Sequence, residues 1–143
     1  MELTRQEALS RLQEELVRPP YNHWMAIQPS DVDIERREIV VSLSYRPEFS
    51  HDPHRAVFHG GVIAALADVV GHATVAIWHG YVAPTISLQL EYLAPGAGTQ
   101  LLARGILRKL GRSISRADIE LTVDGKLVAL GRGTFSTASG KPG

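Results

Sequence analysis

Phe58 to Trp78 read FHGGVIAALADVVGHATVAIW, a run of small and apolar residues broken near its middle by one carboxylate, Asp68. Two glycines, Gly60 and Gly61, stand at its front behind His59, where a helix would start. From Gly60 to Trp78 such a helix would be about 28 Å long at 1.5 Å per residue. Apolar on all sides, it has to be buried on most of them, which takes a sheet broad enough to curl around it. Asp68 is then an acid inside a core helix, and an acid there needs partners.

The same run is the chain's one candidate for a membrane span. A span takes about 20 mostly apolar residues, and a central Asp costs roughly 2.5–3.5 kcal/mol. With His72 and a run of alanines beside it, the segment reads as a core helix, and no membrane partner is expected. The opening MELTRQEALSRLQEEL is charged and amphipathic without the apolar stretch of a signal peptide.

The 143 residues suit a single domain, residues 1–143. Lys plus Arg number 15 and Asp plus Glu number 15, so there is no global basic footprint for nucleic acid. Cysteine is absent, which excludes a disulfide scaffold and thiolate metal sites and fits a reducing cytoplasm. His51, His54 and His59 share a loop with Asp52. This is poorer organisation than a zinc site needs, and no metal is expected.

Outward from the central run, the periods change. Thr4 and Glu7 fit a capping box, and Leu9, Leu12 and Leu16 recur at helical spacing until Pro19–Pro20, giving an N-terminal helix within residues 1–20. Met25 to Ile34 reads as a first strand and Glu38 to Arg46 as a second, with Pro47 to Phe58 a loop. Beyond Gly80, Ile86, Leu88, Leu90 and Tyr92 alternate with Thr85, Ser87, Gln89 and Glu91. Pro95-Gly96 reads as a turn, and strands follow over Gln100–Leu110, Ser113–Val123 and Leu127–Ser136, the last two joined at Asp124-Gly125. Residues 137–143 read as a frayed tail. The class is α+β: an antiparallel sheet of about six strands wrapped around one long central helix, with a short N-terminal helix.

HGGVIAALAD (59–68) and the later APTISLQLEYLAPG (83–96) carry a resemblance that covers nearly the whole chain. The sequence resembles the hotdog-fold thioesterases, and among them the PaaI-like, phenylacetate-pathway type. That resemblance implies hydrolysis of an aromatic or medium-chain acyl-CoA, with no cofactor beyond the coenzyme A of the substrate itself. It gives the Gly60 N–H, helped by Gly61, to the oxyanion, and the role of general base or nucleophile to Asp68. The residues are compatible with this. The first turn of a helix offers unpaired N–H groups and the positive end of its dipole, and glycine lets a ligand approach the backbone.

Gly60 and Asp68 lie about 12 Å apart along one helix, too far to act on one carbonyl. In the family the two come from opposite subunits, so the resemblance also implies a homodimer, and a dimer of dimers. Thr85 falls where the family places a Ser or Thr that orients the water or the acid. His59 either contacts the thioester or supports the turn before the helix. The family's asparagine ahead of HGG is missing from SHDPHRAVF (50–58), where His51, Asp52 or His54 could take its place. Cations around Gly111 suggest Lys109 and Arg112, with Ser113, for the phosphates of coenzyme A. Trp24 could line the acyl pocket. The competing reading is a hotdog domain that binds acyl-CoA without cleaving it.

Overall fold

The computed structural model describes residues 2–138. Helix α1, Arg5–Val17, starts at the expected capping box: Thr4 accepts from the Glu7 N–H while the Glu7 carboxylate takes the Thr4 N–H at 2.8 Å. Its buried stripe is Ala8, Leu12 and Leu16. Pro19-Pro20 does more than end this helix. Pro20 occupies the first position of a second one, α2, Pro20–Met25, where a ring that fixes φ and lacks an N–H fits without loss. Ala26, at φ 59°, closes α2 in the left-handed region, so the first strand begins later than the sequence suggests.

Strands β1 (Gln28–Asp33) and β2 (Glu38–Ser44) form a hairpin. The following loop holds a 3-10 turn at Pro47–Phe49 and a two-residue strand, β3, Val57–Phe58. Helix α3, Gly60–His79, is capped by His59 in front and by Gly80, at φ 88°, behind. It is the one helix among the described residues long and apolar enough to cross a membrane, and 56% of its most apolar window is buried inside the fold.

Next come β4 (Thr85–Tyr92), β5 (Gly96–Ala97), β6 (Gln100–Lys109), β7 (Ile114–Val123) and β8 (Lys126–Ser136). Six of the strands make one antiparallel sheet in the order β1-β2-β6-β7-β8-β4. The expected turn at Pro95-Gly96 is instead partly strand, since Gly96–Ala97 pairs with Val57–Phe58 as a separate small ladder.

The sheet wraps α3 as the hotdog arrangement requires. Ile39, Val41 and Leu43 of β2, Leu101 and Ala103 of β6, and Ile119 and Leu121 of β7 face Ile63, Leu66, Val70 and Ile77 of the helix. Each such aliphatic side chain is worth roughly 1.5–3 kcal/mol when fully buried. Helix and sheet meet closely at Gly71, where a Cβ would come 2.6 Å from Phe135 Cζ, and closer still at Gly105 of β6, where a Cβ would run into Thr74 Oγ1 of the helix.

Two departures from the sequence reading bear on the site. First, β4 is an edge strand whose far side pairs with no strand among the described residues, and most of its residues are exposed on both faces. Second, Thr137, read as the start of a frayed tail, is fully buried. Its N–H donates to Ser113 O at 2.9 Å and its hydroxyl to Gly111 O at 2.7 Å, pinning the β6–β7 turn. Ala138, next in that expected tail, is exposed, and residues 139–143 lie outside the described residues.

Candidate active site

The front of α3 is set by His59. Its Nδ1 accepts the Gly61 N–H at 2.8 Å, so an imidazole does what Ser or Asp more often does at a helix start. The His59 carbonyl takes the N–H groups of Val62 and Ile63. That leaves one amide of the first turn: among the described residues, the Gly60 N–H has no acceptor. Of the two glycines the sequence suggests, Gly60 keeps its donor and Gly61 has given its own to His59.

Tyr92, at the end of β4, crosses to this turn. Its hydroxyl donates to the Gly60 carbonyl at 2.6 Å, and the ring lies beside the glycine. Together with Val57, Phe58, Ile63, Leu93, Ala94, Pro95, Gly96 and His51 they line an open cleft of about 430 Å³. The walls are largely apolar and the Gly60 backbone forms part of them. Sequence reasoning missed Tyr92, which it placed only in the apolar stripe of its strand. An aromatic hydroxyl at a strand end facing a helix start was the available signal.

Asp68 is half-buried two turns further along α3. Thr85 Oγ1 donates to its Oδ1 at 2.7 Å. Strict alternation along β4 would turn Thr85 away from Leu88 and Leu90. An irregularity between Thr85 and Ser87 sets Thr85 opposite Phe135 and Ser87 opposite Thr134, which rotates Thr85 back toward the helix. Asp68 Oδ2 has no hydrogen-bond donor among the described residues, so one carboxylate oxygen is held and the other is available.

Of the three residues that could replace the family's asparagine, only His51 lines the cleft. Asp52 is spent on its own loop, accepting the N–H groups of His54 at 2.7 Å and Arg55 at 3.1 Å and the Arg55 side chain at 3.1 Å. The His54 amide, then the Arg55 guanidinium, hold the Asp52 carboxyl below the usual carboxylate range. His54 is exposed. Among the described residues no three His, Asp or Glu side chains gather as a metal would require.

Trp24 is not part of the cleft wall. On α2 it stacks on the Arg46 guanidinium, 4.3 Å from the ring centroid, and meets Phe49 edge-on at 5.7 Å. The Phe49 carbonyl accepts the His59 N–H at 2.8 Å, so Trp24 stands one layer behind the helix start.

Lys109, Arg112 and Ser113 are exposed around the β6–β7 turn. Thr85 pairs with Phe135 and Phe135 with Ser115, which brings this turn to the Thr85 end of the sheet, away from Gly60. Arg108, in the same basic cluster, is committed to Asp118 at 2.7 Å.

The central helix, its enclosing sheet and the His59-Gly60-Gly61 start define a hotdog thioesterase fold. The chain belongs to the thioesterase superfamily, whose family model matches residues 56–130, from just ahead of β3 into β8. Among solved structures it is similar to the PaaI protein of the phenylacetic acid degradation operon of E. coli, with a TM-score of 0.82 at 23% identity over 96% of this chain and 97% of that one. A phenylacetic acid degradation-related protein of Ralstonia eutropha JMP134 gives 0.77 at 27%, covering 90% and 98%. A mutant of the phenylacetic acid degradation protein PaaI of Thermus thermophilus gives 0.70 at 29%, covering 82% and 97%. None of the curated proteins matches the chain by sequence.

Proposed function

We propose that this protein hydrolyses acyl-CoA thioesters at sites shared between the two subunits of a homodimer. One observation carries the reading: among the described residues Asp68 is held by Thr85 through one oxygen, with the other oxygen free, at a sheet edge that no other strand covers. Superfamily membership and the PaaI-type neighbours support the reaction class.

The edge also suggests how the site is completed. Antiparallel pairing of two β4 strands about a dyad at Leu88–Gln89, the midpoint of Thr85–Tyr92, sets Thr85 of one chain beside Tyr92 of the other. Asp68 of the first subunit then meets Gly60 of the second. Unpaired strand edges with exposed apolar residues such as Ile86 (57% exposed) call for such cover.

In the assembled site the Gly60 N–H, at the positive end of α3, takes the thioester oxygen as negative charge develops on it. Asp68 supplies the basic oxygen: either it draws a proton from water as water attacks, or it attacks the carbonyl carbon itself to form a mixed anhydride that water then cleaves to the free acid. The C–S bond breaks and the thiolate leaves, to be protonated as free coenzyme A. The cleft beside Gly60 suits an apolar acyl group, aromatic or medium-chain. Lys109 and Arg112 at the Thr85 end suit the phosphates of coenzyme A, with Ser113 at the same turn.

The test is a panel of acyl-CoA esters with free-thiol detection, on wild type and Asp68→Asn. Thiol release by the wild type, abolished in a folded Asp68→Asn, supports the reading. Tight binding of an acyl-CoA with no release by the wild type overturns it in favour of a binding domain.

A further inference from the structure

His72 lies four residues beyond Asp68, on the same face of α3. Each of its ring nitrogens meets a different element. Nε2 accepts the backbone N–H of Ala83 at 3.2 Å, and Nδ1 stands 3.4 Å from Glu15 Oε2 on α1. An amide nitrogen only donates, so Nε2 must hold its lone pair, and the neutral ring carries its proton on Nδ1, facing Glu15.

Glu15 is fixed for that role. Its side chain is 13% exposed, and Oε1 takes Arg18 at 3.1 Å. Oε2 is buried with no hydrogen bond besides this approach. Ala83 is fully buried, and the next carbonyl, that of Pro84, accepts the Ser136 N–H at 2.8 Å. Two residues after Ala83 comes Thr85, whose hydroxyl returns to Asp68. The connection leaves α3 at His72 and comes back to it one turn earlier.

We propose that His72 is a positioning residue for the thioester reaction: by accepting the Ala83 N–H it sets the Ala83–Thr85 segment, and so the Thr85 hydroxyl, against Asp68. This rests on the reading of Asp68 as the reacting carboxylate.

A protonated His72 presents N–H to N–H at Ala83 and loses its hold on the segment. The charged groups facing the ring are Glu15 from α1, Arg18 just past its end and Asp68 from its own helix, while residues 83–85 offer backbone and one hydroxyl. Burial keeps His72 below the ordinary imidazole range, against the pull of Glu15 and Asp68 and with Arg18 adding to the lowering. The accepting form therefore prevails at neutral pH, and the hold on Thr85 weakens as the solution is acidified.

Two variants separate the acceptor from simple packing. His72→Gln puts an amide oxygen near the place of Nε2, with no proton to gain; His72→Leu keeps bulk and removes the acceptor. His72→Leu is expected to lower kcat roughly ten- to a hundredfold with little change in KM. His72→Gln should recover most of that loss and flatten the acid limb of the wild-type kcat profile. An equal loss in both folded variants, or none in His72→Leu, overturns the proposal.

The imidazole tautomer is read without turnover, from two-bond 1H–15N correlations. A proton on Nδ1 supports the proposal and a proton on Nε2 overturns it. If the wild type cleaves no thioester, the catalytic reading falls separately. The Ala83 and Thr85 amide shifts still decide the positioning: they follow the His72 titration if it holds this segment, and ignore it if it does not.

Discussion

Thr85 Oγ1 donates to Asp68 Oδ1 at 2.7 Å, from a strand position that regular alternation would have turned the other way. Asp68→Asn keeps the shape and can still accept this bond, but it cannot take a proton. Its kcat/KM for thiol release should fall about 10²- to 10⁴-fold, the span of general base catalysis. Thr85→Val removes only the donor and should cost about tenfold, in line with one hydrogen bond to a charged group. Thr85→Ser should stay close to wild type.

Tyr92→Phe deletes the 2.6 Å bond to the Gly60 carbonyl and leaves the ring in place. The first turn of α3 should loosen, seen as faster amide exchange at residues 62 and 63. The loss of stability in urea should be about 1 kcal/mol, a single neutral hydrogen bond.

The shared site has a direct genetic test. Gly60→Pro removes the proposed oxyanion donor at the first helical position, where proline is well accepted, and the extended ψ of His59, 139°, suits a residue before proline. Each of Gly60→Pro and Asp68→Asn should be inactive alone. Mixed and reassociated in equal amounts, they should regain about a quarter of wild-type activity, since half the dimers are mixed and each of those has one intact site. No recovery, in a mixture shown by mass spectrometry to exchange subunits, would count against a cross-subunit site.

Gly71→Ala places a methyl group 2.6 Å from Phe135 Cζ in a tight part of the helix–sheet contact. Overpacking of this kind costs about 1–3 kcal/mol, and urea midpoints should show it. A Cβ at Gly60 would sit 3.5 Å from Tyr92, an ordinary contact, so Gly60→Ala should unfold close to wild type.

On the outer face of the sheet Asp118 accepts from Arg132 and Arg108, each at 2.7 Å, and these bonds, Arg132 first, hold its carboxyl below the usual range. A folded value below the unfolded one gives stability that is present above the unfolded value and lost as the pH falls through the folded one. Melting temperatures across the acid range should therefore fall less steeply for Asp118→Asn than for the wild type.

The run from Phe58 to Trp78 carried the architecture, because a helix apolar on every side leaves a sheet little choice but to surround it. The places of Gly60 at the start of α3 and of Asp68 within it, and the capping box of α1, were legible for the same reason: local pattern and backbone chemistry decide them. What could not be read depended on relations between distant elements. The turn of Thr85 toward Asp68 comes from an extra residue opposite β8, invisible to a count of alternating residues. Tyr92 reaching Gly60 and Thr137 clasping the Gly111 turn are tertiary contacts with no local periodicity. Trp24 drew attention as an aromatic after a proline break, and its partners turned out to be Arg46 and Phe49. His72 four residues after Asp68 was visible as a spacing, but its meaning needed Ala83 and Glu15.

The eight residues of β4 carry Thr85 at one end and Tyr92 at the other, and between them a row of backbone donors and acceptors that no strand among the described residues covers. A chain left alone exposes that row as a template for any other strand. Solubility and turnover are thus screened through the same eight positions. A substitution that spoils their pairing should show itself first as precipitate at the expression stage, before anyone has the chance to measure a slow enzyme.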